Sequence, residues 1–153
     1  MRYCALLALV ACVFGCASKE MRERNLEKVW EYDSPKGWTK HKRGSGFVFR
    51  GRIGPRPITV AVASIQGRRD VASVTESIVE QYRALEADVT RGGTSELETV
   101  MHVTVPWRGK RIWREHRVYK SGSGLVSFAI AALEQDRNQA RKLGLHRRLR
   151  VVR

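Results

Sequence analysis

Two of the four histidines occupy positions from which a metal site or an acid–base pair could be built. His102 and His116 lie on apolar, alternating segments joined by a short loop, Arg108 to Lys110, which predicts a β-hairpin. If the loop holds three residues, the two imidazoles face each other across the hairpin, as the start of a metal site requires. Another loop geometry places His102 opposite Arg114. No third ligand accompanies the pair, so we expect no metal and no cofactor.

Motifs that mount a nucleophile or cradle a phosphate are not found in the sequence. Residues 43–47 contain two glycines but lack the Lys-Ser/Thr step and the strand-to-helix context of a phosphate loop. Residues 121–124 join two predicted strands, so their serines belong to a flexible turn and not to a nucleophile elbow. The sequence therefore predicts no catalytic residue and favours a binding role.

Positive charge is the distinctive feature of the composition. The chain has 29 Lys and Arg against 15 Asp and Glu, for a formal net charge of +14. Residues 36–56 hold no acid, and two further basic stretches follow. The candidate anion-binding residues in those two stretches are Arg108, Lys110, Arg111, Arg114, Arg147, Arg148 and Arg150. Arginines interleaved with Trp107 and Trp113 ordinarily suggest nucleic acid, whereas net charge alone indicates only solubility and non-specific binding.

The N-terminal segment has the pattern of an export signal. Arg2 precedes an uncharged, largely apolar run over residues 3–14, which is shorter than the roughly 20 residues that a membrane-spanning helix needs. All three cysteines lie in this region, the last at Cys16. Cleavage before Cys16 would leave it as the one remaining cysteine, and lipidation of its sulfur would then exclude disulfides and cysteine catalysis in the mature chain.

The tetrapeptide Val13-Phe14-Gly15-Cys16 resembles the lipobox of bacterial lipoproteins. A second match ends at Cys12 but leaves a very short apolar run, and an ordinary secretory cleavage near Ala17 is the other alternative. The resemblance implies a diacylglycerol on Cys16, cleavage before it and stable membrane anchoring by two or more acyl chains. Lipoproteins that stay at the inner membrane usually carry Asp after the cysteine, so the resemblance, with Ala17 and Ser18 there, implies the outer membrane, facing the periplasm.

Periodicity predicts an amphipathic helix over residues 73–89. Ser73 and Glu76 form a potential capping box, Asp70 is an alternative cap one turn earlier, and Gly92-Gly93 would end the helix. The apolar stripe consists of Val74, Ile78, Tyr82, Leu85 and Val89. A shorter helix is expected over residues 134–143, stopped by Gly144.

Strands account for most of the remaining apolar segments. They are predicted over residues 29–32, 47–49, 58–65, 97–105, 112–119, 125–132 and 149–152. The predicted fold class is α+β, with an antiparallel sheet of about five to seven strands and both helices packed on it. The predicted organisation is a signal peptide over residues 1–15, a lipidated, charged tether over 16–28, and a single domain over 29–153.

The order of these elements, with the turn Asp33-Ser34-Pro35-Lys36-Gly37-Trp38, resembles the PsbP-like α/β/α sandwich. That resemblance implies a non-enzymatic binding or assembly module and transfers no catalytic residue. Together, the two resemblances predict a lipid-anchored envelope protein with a non-catalytic binding or scaffolding domain, whose partners are the membrane and an anionic envelope polymer or envelope protein. The alternative is a polyanion-binding module for lipid head groups, lipopolysaccharide or wall polymer. A metal-dependent hydrolase using His102 and His116, or a cytoplasmic nucleic-acid binder, are further alternatives.

Overall fold

The computed structural model describes residues 29–67, 70–122 and 124–152. Cys16, the predicted signal peptide and the predicted tether lie outside the described residues. Within them, no helix is both long and apolar enough to cross a membrane.

Nine strands and two α-helices make up the described chain. The strands are β1 Trp30–Tyr32, β2 Thr39–Arg43, β3 Gly46–Ile53, β4 Arg56–Ile65, β5 Asp88–Thr94, β6 Glu98–Trp107, β7 Lys110–Ser121, β8 Gly124–Leu133 and β9 Leu149–Val151. The helices are α1 Val71–Ala84 and α2 Arg137–Lys142, and α2 is flanked by 3₁₀ turns at Glu134–Asp136 and Leu145–Arg148. Seven strands form one antiparallel sheet in the order β2-β3-β4-β8-β7-β6-β5, and β1 pairs with β9 in a separate two-stranded sheet.

The predicted α+β fold class is wrong. Strands hold 56% of the described residues and helices only 22%, and no long helix covers residues 73–89. The helix α1 ends at Ala84, Glu86 adopts a left-handed φ of 56°, and the chain then enters β5. Val89 therefore belongs to a strand and pairs with Val103. The apolar spacing predicted a longer helix because Val89, although it lies on a strand, packs against the same core as the apolar stripe of α1.

The predicted ends of both helices are also corrected. Asp70, and not Ser73, caps α1, because its Oδ1 accepts a 2.7 Å hydrogen bond from the Ser73 backbone N–H. Gly92-Gly93 does not end a helix but lies at a register shift within the β5–β6 pairing. The segment predicted as one helix over residues 134–143 is split into a 3₁₀ turn and the six-residue α2.

The large sheet separates two hydrophobic cores, because side chains alternate between its faces. Along β8, Val126, Phe128 and Ile130 point to one core, whereas Leu125 points to the other. We call the first side the front face, which is covered by β1, β9 and the segment from α2 to the second 3₁₀ turn. The other side is the back face, on which α1 packs against β5, β6 and β7. Both faces of β8 are buried, as the apolar residues on both faces of this segment predicted.

Candidate binding site

The turn between β6 and β7 decides which side chains meet on the front face. Arg108 and Gly109 form a two-residue turn with φ values of 46° and 73°, and Trp107 pairs with Lys110. The structure therefore has neither of the two predicted pairings of His102, opposite His116 or opposite Arg114. His102 pairs with Glu115, and His116 pairs with Met101. The two histidines consequently lie on opposite faces of the sheet and do not form a metal-binding pair.

Glu115 is the centre of a charged group on the front face, although its side chain is only 5% exposed. Its Oε1 accepts a 2.7 Å hydrogen bond from Arg117 Nε, and Arg117 Nη1 donates a 2.9 Å bond to Glu98 Oε1. His146 Nδ1 lies 3.8 Å from Glu115 Oε1, and His102 Nδ1 lies 3.9 Å from Oε2. We call these five residues the open cluster, because a cavity adjoins them.

The cavity beside the open cluster has a volume of about 140 Å³. Its lining consists of Glu115, Arg117, Ile130, Ala140, Arg141, Leu145 and His146. The charged floor comes from β7, whereas α2 and the second 3₁₀ turn form the other wall. The space has room for several waters or one small polyatomic group next to a buried carboxylate. Such a combination of void and fixed charge is suited to ligand binding.

Electrostatics favour neutral imidazoles in the open cluster. Burial lowers the pKa of His146, the positive charge of Arg117 lowers it further, and Glu115 only partly opposes this shift. Burial also lowers the pKa of His102 against the attraction of Glu115, with Arg141 adding to the decrease. Burial lowers the pKa of Arg117, but the hydrogen bond and the negative charge of Glu115, together with Tyr119, outweigh it and leave that pKa raised. Near neutral pH the cluster thus holds fixed charges and two uncharged rings.

A second polar group lies on the back face and has a different character. His116 is 2% exposed, its Nε2 is 2.7 Å from Ser127 Oγ, and its Nδ1 is 3.3 Å from Tyr82 Oη. Arg114 Nη1 donates to the same Tyr82 oxygen at 3.5 Å. Burial and the charge of Arg114 lower the pKa of His116 to about 3. We call these four residues the closed cluster, since both imidazole nitrogens have partners and the packing encloses them.

The predicted anion-binding residues are distributed over different parts of the molecule. Arg108, Lys110 and Arg111 lie at the β6–β7 turn, where Arg111 binds Asp88 and Glu134 at 2.8 Å each. Arg114 is buried within the closed cluster. The remaining three, Arg147, Arg148 and Arg150, are exposed near β9, and Arg148 Nη1 lies 3.6 Å from Asp33 Oδ2. The fold does not gather them into one site.

Glu115 and Arg141 were not among the site residues predicted from the sequence. Glu115 is the one acidic residue in the basic stretch 108–120, and this feature of the sequence could have marked it as a site residue. Arg141 reaches the cavity because α2 and the 3₁₀ turn fold back over β7, an arrangement that residue spacing does not reveal. Among the described residues, no group of three or more His, Cys, Asp or Glu side chains is placed to hold a metal ion.

Comparisons with known proteins add one similarity. No protein-family model matches the chain, and no curated protein matches it. Among solved structures it is similar to LpqN, described as involved in cell envelope biogenesis of Mycobacterium tuberculosis, with a TM-score of 0.48 and 12% sequence identity; the alignment covers 81% of this chain and 83% of that chain. A likeness at this level assigns neither family nor function. The lipobox and PsbP-like resemblances stay predictions.

Proposed function

We propose that this chain is a lipid-anchored cell-envelope protein whose β-rich domain binds a ligand and does not catalyse a reaction. The binding role is supported by the cavity beside Glu115, because the Glu115 side chain is only 5% exposed and yet lines an open space. Arg117 holds that carboxylate in one orientation by a charge-assisted hydrogen bond, and Glu98 in turn holds Arg117. A charge pattern held on a sheet in this way is pre-organised for recognition.

The anchor rests on the lipobox at Cys16, and the fold is compatible with a tether at that end. The backbone N–H of Val152 donates a 2.9 Å hydrogen bond to the Val29 carbonyl, and Ser121 Oγ donates to the same oxygen. Val29, where the predicted tether would meet the domain, is therefore hydrogen-bonded to Ser121 and Val152, which lie in two other parts of the chain. Two or three acyl chains on Cys16 would then keep the folded domain at a membrane surface.

Intact mass of the protein purified from membranes tests the anchor. We expect the mass of residues 16–153 plus diacylglycerol and an amide-linked acyl chain. The Cys16→Ser variant should lose this mass, whereas the matched Cys12→Ser variant should keep it because Cys12 is removed with the signal peptide. An unmodified full-length mass in the soluble fraction would refute the lipoprotein proposal, and an acylated Cys12 would move the anchor.

The polyanion-binding module is the second candidate, and one feature favours it. The edge strand β2 is exposed along its whole length and carries Lys40, Lys42 and Arg43, with no acid in the strand. Binding to an anionic polymer through such a surface would weaken steeply with salt, because each contact releases counterions or is screened. Charge reversal at Arg147, Arg148 and Arg150 should weaken such binding too, and salt-independent binding would exclude the module.

A further inference from the structure

We propose that the cavity beside Glu115 binds a phosphate group, with Arg141 and His146 as its principal ligands. This inference rests on the proposed binding role and names the chemistry of its ligand. The same group occurs in free phosphate and in phospholipid head groups, and the experiment below separates the two sources.

The charge balance around the cavity calls for an anion. The charge of Glu115 is compensated within the cluster by Arg117, at 2.7 Å. Arg141 lines the cavity, and its guanidinium has no carboxylate partner in the part of the chain that the structure describes. The charged residues of the lining are Glu115, Arg117 and Arg141, whose formal charges sum to +1. The lining therefore has an excess of positive charge.

The geometry of the cavity favours a compact oxyanion over an extended polymer. Ile130, Ala140 and Leu145 form the apolar walls of this small space, whereas Arg141 is exposed and lines it beside them. A guanidinium can hold two oxygens of a phosphate in its planar fork, which a lysine cannot do. Arg141 lies on the last turn of α2, with Lys142 next to it outside the lining, so the two cations differ in access to the cavity.

His146 gives the site a proton-linked response. Its ring is neutral in the empty site because burial and Arg117 lower its pKa. A bound phosphate adds negative charge beside the ring and favours its protonated, doubly donating form. The groups that face the ring are Glu115 and Arg117 from β7, Glu98 from β6, and Arg147 from its own turn. Saturation with phosphate should therefore raise the pKa of His146 but leave that of His116 on the back face unchanged.

The test uses the Cys16→Ser chain, which carries no acyl chains, and titrates it with inorganic phosphate by calorimetry. Arg141→Gln should weaken binding at least about tenfold, as expected for a lost charge-assisted bond. The matched Lys142→Gln variant removes the same charge one residue away and should bind as the unmutated chain does. Equal losses in the two variants, or no binding by the unmutated chain, would overturn the proposal.

Two further readouts make the outcome unambiguous. Imidazole NMR titrations with and without phosphate should show the rise of the His146 pKa, and an unchanged His116 signal reports that each variant is folded. Vesicles of phosphatidylglycerol and of phosphatidylcholine then identify the source: binding to both, dependent on Arg141, supports a lipid head group, whereas binding of free phosphate alone supports a soluble ligand. Since the anchor is measured by mass, a failure here leaves the lipoprotein proposal standing.

Discussion

The closed and open clusters differ sharply, although β7 supplies both from four consecutive residues. Arg114 and His116 point to the back face, where α1 covers them and Ser127 and Tyr82 satisfy the imidazole. Glu115 and Arg117 point to the front face, where the covering segment leaves about 140 Å³ of space. Alternation along one strand thus separates polar groups that stabilise the fold from polar groups that remain available to a ligand.

The largest expected effect is on the open cluster. Glu115→Ala should lower the free energy of unfolding by about 3–5 kcal/mol, because it leaves Arg117 largely buried with one of its two carboxylate partners removed. Urea denaturation measures the change. Glu98→Ala is the matched control on the more exposed partner and should cost less. Similar losses of unfolding free energy in both variants would show that the burial of Glu115 does not determine its contribution to stability.

The dependence of stability on pH tests the closed cluster. His116 is neutral in the fold with a pKa of about 3, whereas the unfolded chain takes up a proton below about 6.5. Stability should therefore fall as the pH drops from about 6.5 towards 3, by up to about 1.4 kcal/mol per pH unit from this residue. His102 and His146 act in the same direction but are less buried. His116→Gln should flatten the slope, which urea denaturation at each pH measures.

Removing a partner from the closed cluster should have an intermediate effect. Ser127→Ala deletes the hydroxyl that lies 2.7 Å from His116 Nε2 and leaves that nitrogen buried without a partner. We expect a loss of about 1–3 kcal/mol in thermal or urea unfolding. A neutral result would mean that water enters the back face, and the cluster would not be closed.

The smallest effect is expected at the wall of the cavity. His146→Ala removes a ring that is 29% exposed and approaches Glu115 only to 3.8 Å, so stability should change by less than about 1 kcal/mol. Phosphate binding should nevertheless weaken. If stability falls as much as in Ser127→Ala, the His146 ring is part of the core and the distinction between the clusters fails.

The sequence predicted the central strands well, because residues 58–65 and 125–132 are apolar on both faces and lie within β4 and β8. It missed β2 and β5. The first has no buried residue to mark it, and the second contains two glycines. The predicted helix over residues 73–89 was too long because an apolar residue at position 89 fits the stripe of a helix and the alternation of a strand equally well.

The site was harder to predict than the strands. The metal-pair hypothesis depended on the length of one turn, and Arg108 adopts a left-handed φ that a non-glycine residue seldom takes. That turn shifts the register by one residue and moves every side chain of β6 relative to β7. The cavity depends on how a six-residue helix and a 3₁₀ turn pack across the sheet, which is a tertiary property that no local pattern encodes.

The pairing of β1 with β9 also determines how the domain would respond to a pull. A force transmitted through an anchored tether enters the fold at Val29, where β1 is only three residues long and pairs with β9 alone. Antiparallel strands loaded at one end separate bond by bond, so β1 should peel away first while the seven-stranded sheet stays whole. Each released residue would lengthen the tether by about 3.4 Å. In a chain anchored as proposed, β1 and β9 would therefore separate before the strands β7 and β8, which line the cavity, come under load.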